Sequence, residues 1–192
     1  MEVLMFIQTV SETEADGKLH EIYENDRKTM GYVPNHAKVF SLRPEVLGAW
    51  RAFQSSIRGN LRLRRYELVT LAAAMDLKCR YCLLAHGAIL SKNGVSVNQL
   101  RAILKDFHDA GLERAEVAIM DFAQKIVRSA SEITPADIDA LHALDLEDVE
   151  ILDVTLTATM RCFASKTFDA LGAEPDAVYS ELEGQLSDLL PE

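Results

Sequence analysis

Apolar residues recur at helical spacing along most of the chain, and glycine and proline stand mainly where a helix would begin or end. Leucine and alanine at intervals of three and four predict one helix over residues 64–74 and another over 79–93, which Gly94 closes. A longer apolar pattern over residues 146–171 predicts one long helix or two. The patterning therefore predicts an all-α fold.

Three features near the two ends of the chain add to this pattern. Ser11 and Glu14 have the spacing of a capping box, which predicts a helix from there to Gly31, about five turns long. Pro175 predicts the start of a last, acidic helix. Residues 3–10 form the one short segment that resembles a strand, although their apolar and polar positions alternate poorly.

The chain is expected to form a single helical domain over residues 1–192, because no stretch rich in glycine, proline or serine divides it and no repeat appears. We divide it into an N-terminal helical lead at about 1–60, a core at about 61–130 and C-terminal helices at about 131–192. A chain of 192 residues is long enough to bury a sizeable core.

Composition and charge exclude several classes of protein. Apolar residues make up 48% of the chain and charged residues 26%, which is typical of a folded globular protein rather than a disordered one. No apolar run reaches the ~18 residues that span a bilayer, and residues 1–10 lack the basic start of a secretory signal. A net charge of -10 and a pI near 5.0 argue against nucleic acid as a partner. We therefore expect a cytoplasmic protein that binds neither a membrane nor nucleic acid.

The basic residues are concentrated in one stretch. Residues 51–105 contain ten lysines and arginines but only two acids, whereas the other 137 residues carry ten bases and 28 acids. One interpretation is that solvated helix faces and ion pairs account for the excess. The other is a positive field around Cys79 and Cys82, which would favour their thiolate forms.

Two of the three cysteines, Cys79 and Cys82, stand with His86 on one predicted helix. At about 100° per residue the two thiols lie about 60° apart on one face, and His86 follows Cys82 by one turn. A histidine there can take the proton of Cys82, and the helix N-terminus favours a thiolate at Cys79. The spacing therefore allows a redox-active dithiol that closes a disulfide within one turn.

Two other interpretations of these residues remain open. The cysteines can be small buried residues beside a core histidine. They can also supply, with His86, three ligands of a zinc site, although no further cysteine or histidine pair is placed to complete a tetrahedron, and the nearby basic residues disfavour a cation. An odd number of cysteines argues against a structural disulfide framework. We expect neither a metal ion nor a cofactor.

The wider sequence resembles a known family. Glu67 precedes Cys79 by twelve residues, and the second cysteine of the pair is followed four residues later by a histidine. This pattern in a helical context is similar to that of the AhpD-like alkylhydroperoxidases, which belong to the carboxymuconolactone decarboxylase family. The segments outside it that resemble the family's peroxidase-related branch are residues 32–35, 44–50 and 169–176. The similarity extends over about residues 10–180, and it implies an AhpD-like multi-helix domain with the Cys-x-x-Cys near the N-terminus of a core helix.

The resemblance implies a thiol-dependent peroxidase, an antioxidant oxidoreductase of the peroxiredoxin type that reduces hydrogen peroxide or organic hydroperoxides. Cys82 would react with the hydroperoxide, and Cys79 would resolve it to a disulfide. His86 would relay the proton of Cys82, with Glu67 as the base behind it. Family members form homo-oligomers, commonly trimers or hexamers, and an outside thiol or protein electron donor would reopen the disulfide. The alternative is a non-enzymatic, redox-sensing helical oligomer that uses the same cysteine pair.

The implied relay requires the chain to break within residues 75–79. In one straight helix, 19 residues at ~1.5 Å each would place Glu67 and His86 roughly 28 Å apart. The local signal for a break is weak, because the segment contains neither glycine nor proline. The alternative is a straight helix in which Glu67 pairs with Arg64 or with a neighbouring subunit.

Several other residues are assigned lesser roles. Tyr81 stands where some reductase members of the family carry a second histidine, and we expect it mainly to pack. Ser165 stands where family members often have asparagine. Cys162 is expected to be a buried, inert thiol, and Trp50 to pack in the core. His36 lies in an ordinary polar context and is given no function.

Overall fold

The structure is a computed structural model that describes residues 5–191, and these residues form ten α-helices. The helices are α1 (Gly17–Met30), α2 (Asn35–Val39), α3 (Pro44–Arg58), α4 (Leu63–Leu77), α5 (Arg80–Lys92), α6 (Val97–Asp106), α7 (Arg114–Ser129), α8 (Pro135–His142), α9 (Asp148–Ala170) and α10 (Ser180–Leu186). Short 3-10 helices lie at Phe107–Asp109, Ala130–Glu132 and Ala177–Tyr179. None of the described helices has both the length and the apolar character that crossing a membrane requires.

The predicted all-α fold is confirmed, since residues 5–191 contain no strand. The part of the strand-like segment within them, residues 5–10, forms none, and residues 3 and 4 lie outside the described part of the chain. The long apolar pattern over residues 146–171 forms one helix, α9.

Helix α4 lies at the centre of the fold. Every residue from Tyr66 to Ala74 is buried, so the helix has no solvent-facing side for more than two turns. It packs against α5, α7 and α9, and its small alanine side chains allow these helices to approach closely. This position places Glu67, a charged residue of the first α4 turns, inside the protein.

The chain breaks after α4, as predicted. Lys78 follows the last residue of α4 in a left-handed conformation, with φ 54° and ψ 32°. The N–H of Cys79 then donates to the carbonyl of Ala74 at 3.1 Å, which closes the helix in the manner of a Schellman motif. A lysine thus adopts the conformation that glycine usually supplies, at a cost of roughly 1 kcal/mol. Helix α5 then packs beside α4.

The predicted start of the first helix is wrong, and its predicted end is confirmed. Ser11 Oγ donates to Glu14 Oε2 at 2.6 Å, but both residues lie in a turn, and α1 begins only at Gly17. Gly31 closes α1 in the left-handed conformation, with φ 86°.

The predicted start of the last helix is also wrong. Helix α10 begins at Ser180 rather than at Pro175. The reason is Asp176, which has an extended backbone and a buried carboxylate that accepts the backbone N–H of Asn35 at 2.7 Å. This tertiary hydrogen bond fixes the segment before α10 against the start of α2.

Candidate active site

The two cysteines of the Cys-x-x-Cys pattern lie at the start of α5. Cys79 is the N-cap residue, Cys82 lies in the first turn, and the two are 3.2 Å apart. Both are buried free cysteines. Since a disulfide bond is about 2.05 Å long, a small movement of one side chain would join them.

The sulfur of Cys82 receives hydrogen bonds from α9. Arg161 Nη1 lies 3.4 Å and Ser165 Oγ 3.2 Å from Cys82 Sγ. Burial by itself raises the pKa of the Cys82 thiol. The hydrogen bond from Cys79 and the positive charge of Arg161 outweigh this effect, and His86 and the Ser165 hydroxyl act in the same direction. The pKa of Cys82 therefore lies well below its ordinary value, which favours a thiolate at neutral pH.

Cys79 has the opposite electrostatic environment. Its hydrogen bond to Cys82, its burial and the negative charge of a Cys82 thiolate all raise the pKa of Cys79. The pair therefore consists of one thiolate and one thiol. A dithiol redox reaction requires this difference, because one sulfur attacks first and the other resolves the product.

Glu67 and His86 meet across the break between α4 and α5. Glu67 Oε2 lies 2.6 Å from His86 Nδ1, and both side chains are buried. Glu67 Oε1 faces Arg58 Nη2 at 3.6 Å. The carboxylate accepts a hydrogen bond from Nδ1–H, so neutral His86 carries its lone pair on Nε2. The alternative of a straight helix is wrong, and Arg64 instead forms an ion pair with Glu116.

His86 lies near Cys82 but is not among the hydrogen-bond donors found for its sulfur. Both residues line one cavity, yet within residues 5–191 the hydrogen bonds to Cys82 Sγ come from Cys79, Arg161 and Ser165. The spacing of one turn predicted a direct proton transfer between the two side chains. In the structure both side chains line the cavity, and no direct hydrogen bond joins them among the described residues.

This cavity has a volume of about 280 Å³ and combines aromatic rings with arginine side chains. Its rings are those of His36, Trp50, Tyr81, Phe168 and Tyr179. Arg51 is paired with Asp26 through two hydrogen bonds of 2.8 Å. Arg161 is only 2% exposed, and its Nε and Nη2 make no hydrogen bond within residues 5–191. The cavity therefore combines an aromatic wall with a guanidinium beside the Cys82 sulfur, and two nitrogens of this guanidinium have no hydrogen-bond partner among the described residues.

Sequence reasoning missed the contribution of α9. Arg161 and Ser165 are four residues apart, so they share the face of α9 that contacts Cys82. The one available signal is an arginine inside the apolar run of residues 160–164, because arginine is rarely buried without a partner. Cys162 is half-buried, not buried as predicted, and desolvation raises its pKa.

A second missed group includes two residues that line the same cavity, His36 and Tyr81. His36 Nδ1 lies 3.0 Å from the hydroxyl of Tyr81, which in turn donates to Asp176 Oδ2. Tyr81 therefore does more than pack. The three residues are 45 and 95 positions apart, so no local pattern could have connected them.

The residues at Cys82 do not fit a zinc ion. Within residues 5–191, no group of three or more His, Cys, Asp and Glu side chains is arranged to hold a metal. The Arg161 guanidinium, 3.4 Å from Cys82 Sγ, would also repel a cation bound to that sulfur. The guanidinium instead matches an anionic sulfur.

Comparisons with known proteins agree with this fold. The model of the carboxymuconolactone decarboxylase family matches residues 44–125. An uncharacterised peroxidase-related protein from Ralstonia eutropha JMP134, described as an alkylhydroperoxidase AhpD core, is 20% identical over 100% of both chains, with a TM-score of 0.82. An uncharacterised peroxidase-related protein from Silicibacter sp. TM1040 is 25% identical, covering 89% of this chain and 93% of its own, with a TM-score of 0.79.

A third similar structure is that of a debrominase. Bmp8, in complex with 2,3,4-tribromopyrrole, is 14% identical over 94% of this chain and 95% of its own, with a TM-score of 0.75. At this level of identity the likeness shows the fold alone. The comparison with curated proteins finds no match.

The family match covers the segment that holds the cysteine pair. Residues 44–125 include α3 to α6 and most of α7, and with them Glu67, both cysteines of the pair and His86. The solved structures extend the same helical fold over the rest of the chain. Residues 44–125 therefore match the carboxymuconolactone decarboxylase family, and the chain as a whole has the fold of AhpD-like proteins.

Proposed function

We propose that the protein is an enzyme, a thiol-dependent peroxidase that reduces hydrogen peroxide or organic hydroperoxides with the dithiol of Cys79 and Cys82. The observation that carries this proposal is the difference between the two sulfurs. The pKa of Cys82 lies well below its ordinary value, while Cys79, 3.2 Å away, has a raised pKa and remains a thiol. The peroxidase-related names of two similar structures support the proposal.

The proposed reaction has three steps. The Cys82 thiolate attacks the terminal oxygen of the hydroperoxide, so that an S–O bond forms, the O–O bond breaks and an alkoxide leaves with the bonding electrons. The Cys79 sulfur then attacks the Cys82 sulfenic acid, forming the disulfide and releasing water. An external thiol or protein electron donor finally supplies two electrons, which restores both thiols.

Glu67 and His86 handle the proton in this scheme. His86 Nε2 takes the proton that the Cys82 thiol loses and returns it to the alkoxide, which leaves as an alcohol, or as water when the substrate is hydrogen peroxide. Glu67, 2.6 Å from Nδ1, orients the ring and stabilises the imidazolium. The free Nε–H and Nη2–H of Arg161 are suited to stabilise the negative charge that develops on the leaving oxygen.

The proposal extends to assembly and location. We propose a cytoplasmic homo-oligomer, a trimer or hexamer as in the family. Exposed apolar side chains support it, for example Leu42 at 57% and Phe163 at 45% exposure, because water disfavours such surfaces.

Peroxide consumption under turnover conditions tests the proposed activity. With cumene hydroperoxide and excess dithiothreitol, the wild-type protein is expected to consume many equivalents of peroxide per chain. Cys82→Ser should abolish this consumption. Cys162→Ser is the matched control, because it removes a thiol from the same helix as Arg161 without touching the pair, and it should keep full activity.

The same assay separates an enzyme from a redox sensor. A sensor that uses the same cysteines would form one disulfide and then stop, consuming about one equivalent of peroxide per chain. Consumption that stops there, with the pair left as a disulfide that dithiothreitol does not reopen, would contradict the proposed peroxidase. Activity that survives in Cys82→Ser would show that Cys82 is not the residue that reacts with the peroxide.

A further inference from the structure

A hydrogen-bond network separate from Glu67 and His86 reaches the same cavity. The hydroxyl oxygen of Tyr81 lies 2.5 Å from Asp176 Oδ2, 3.0 Å from His36 Nδ1 and 3.2 Å from the backbone nitrogen of His36. The three residues come from α5, from the extended segment before α10 and from α2. Their meeting point is therefore a feature of the tertiary fold.

Counting protons around the Tyr81 hydroxyl fixes the state of His36. A tyrosine hydroxyl has one proton to donate and can accept two hydrogen bonds. Asp176 takes that proton, because an ionised carboxylate only accepts, and its other oxygen accepts the Asn35 N–H at 2.7 Å. The two nitrogens of His36 that contact the hydroxyl must then both be donors. His36 is thus the Nδ1–H tautomer, with its lone pair on Nε2.

The surroundings keep this imidazole neutral and in place. Burial, followed by the positive charges of Arg51 and Arg161, lowers the pKa of His36 to about 3. The ring packs between Trp50 and Phe168, with centroid distances of 6.0 Å to each. At neutral pH the side chain is therefore an oriented hydrogen-bond acceptor rather than a cation.

The Nε2 of His36 is available to a ligand in the cavity. His36 lines the same cavity as Cys82 and His86, and no hydrogen bond to its Nε2 is described within residues 5–191. The neighbouring Arg161 has only donors to offer a ligand, and the Cys82 thiolate is the nucleophile. A hydroperoxide differs from these groups in carrying an O–H that needs an acceptor.

We propose that His36 binds the substrate: its Nε2 accepts a hydrogen bond from the O–H of the hydroperoxide and holds the terminal oxygen over the Cys82 sulfur. Tyr81 and Asp176 act as positioning residues, because they fix the tautomer that makes this bond. This assignment rests on the proposed peroxidase function, and it adds a binding residue to that site. No electron or proton leaves His36 in the reaction, since the hydroxyl stays on the oxygen that joins the sulfur.

Nitrogen NMR on the reduced full-length protein tests the tautomer directly. Long-range ¹H–¹⁵N correlation distinguishes protonated from unprotonated imidazole nitrogens, and a His36→Gln spectrum assigns the signals. We expect protonated Nδ1 and unprotonated Nε2 throughout the neutral pH range. In Tyr81→Phe the two tautomers should mix, whereas Tyr179→Phe, which removes another phenol from the same cavity, should leave the pattern unchanged. A protonated Nε2 in the wild type would overturn the assignment whatever the activity.

Kinetics test the contact with substrate. His36→Phe is expected to lower the second-order rate of Cys82 oxidation by cumene hydroperoxide about tenfold, the effect of losing one hydrogen bond. The rate at which iodoacetamide alkylates Cys82 should be the same in His36→Phe as in the wild type, because the contacts that lower the pKa of Cys82 are intact. His36→Gln, whose amide oxygen can reach the same position, should recover part of the loss. If the wild type is active and His36→Phe reacts equally fast, this inference alone is overturned. If the wild type is inactive, the proposed function and this inference are both overturned.

Discussion

Arg161→Met removes the positive charge nearest to Cys82 and keeps a side chain with an apolar stem. Arg161 Nη1 lies 3.4 Å from Cys82 Sγ, and the residue is only 2% exposed, so solvent screens the pair weakly. Two unit charges about 4 Å apart interact by about 4 kcal/mol at an effective dielectric constant near 20. At about 1.4 kcal/mol per pH unit, this energy corresponds to a rise of about 3 pH units in the pKa of Cys82.

The pH dependence of alkylation measures this change. The rate at which iodoacetamide reacts with Cys82 follows the fraction of thiolate. It should be measured in a protein that also carries Cys79→Ser and Cys162→Ser, so that Cys82 is the one cysteine left. We expect the midpoint of the Arg161→Met profile to rise by about 1 to 3 pH units, the lower value allowing for relaxation around the site. Peroxide reduction at neutral pH should fall with it.

Arg65→Met is the matched control for this experiment. It removes a 2.7 Å ion pair between Arg65 of α4 and Glu150 of α9, at the far end of α9 from Cys82. Any change that comes from loosening the two helices should appear in both variants. An Arg161→Met profile that coincides with those of Arg65→Met and the parent would refute the assignment of Arg161 as the group that stabilises the thiolate.

Four further outcomes are expected. Glu67→Gln and His86→Gln should each lower peroxidase activity about 10²-fold, and the double variant should be no slower, because the two act in series; additive losses in steady-state rates would remove Glu67 from the mechanism. A dimedone-type probe should trap sulfenic acid at Cys82 in Cys79→Ser, and equal labelling at Cys79 in Cys82→Ser would sink the assignment of the reactive sulfur. The free energy of unfolding should fall as the pH drops from about 6.5 to about 3, because His36 is protonated in the unfolded chain but not in the folded one. Denaturant titrations of His36→Gln should show a smaller fall over this pH range. An equal fall in both proteins would contradict the neutral state of His36. Light scattering at micromolar concentration should give a multiple of 21.4 kDa, and a monomer would exclude the proposed assembly.

The helices could largely be predicted from the sequence because apolar spacing and end signals agree along most of the chain. The exceptions have physical causes in the tertiary structure. Lys78 adopts the left-handed conformation between α4 and α5 without the glycine that normally marks such a break, so only the family resemblance indicated it. Helix α10 begins later than predicted because the Asp176 carboxylate accepts a hydrogen bond from the backbone N–H of Asn35 at the start of α2. This contact spans 141 residues.

The candidate site could be predicted as far as its residues lie close together in the sequence. The spacing of Cys79, Cys82 and His86 brought them to one helix, and the family pattern added Glu67. The groups that determine the state of Cys82 could not be found in this way, because Arg161 and Ser165 are 79 and 83 residues away. Their contacts depend on how α9 packs against α5, which no local spacing encodes.

Counting thiols before and after one equivalent of hydroperoxide tests the central claim most directly. The reduced protein has three free thiols, at Cys79, Cys82 and Cys162. If Cys82 reacts and Cys79 resolves it, one equivalent of cumene hydroperoxide should leave one thiol per chain, and peptide mapping should find the Cys79–Cys82 disulfide with Cys162 unmodified. Three remaining thiols, or a disulfide that involves Cys162, would contradict the account.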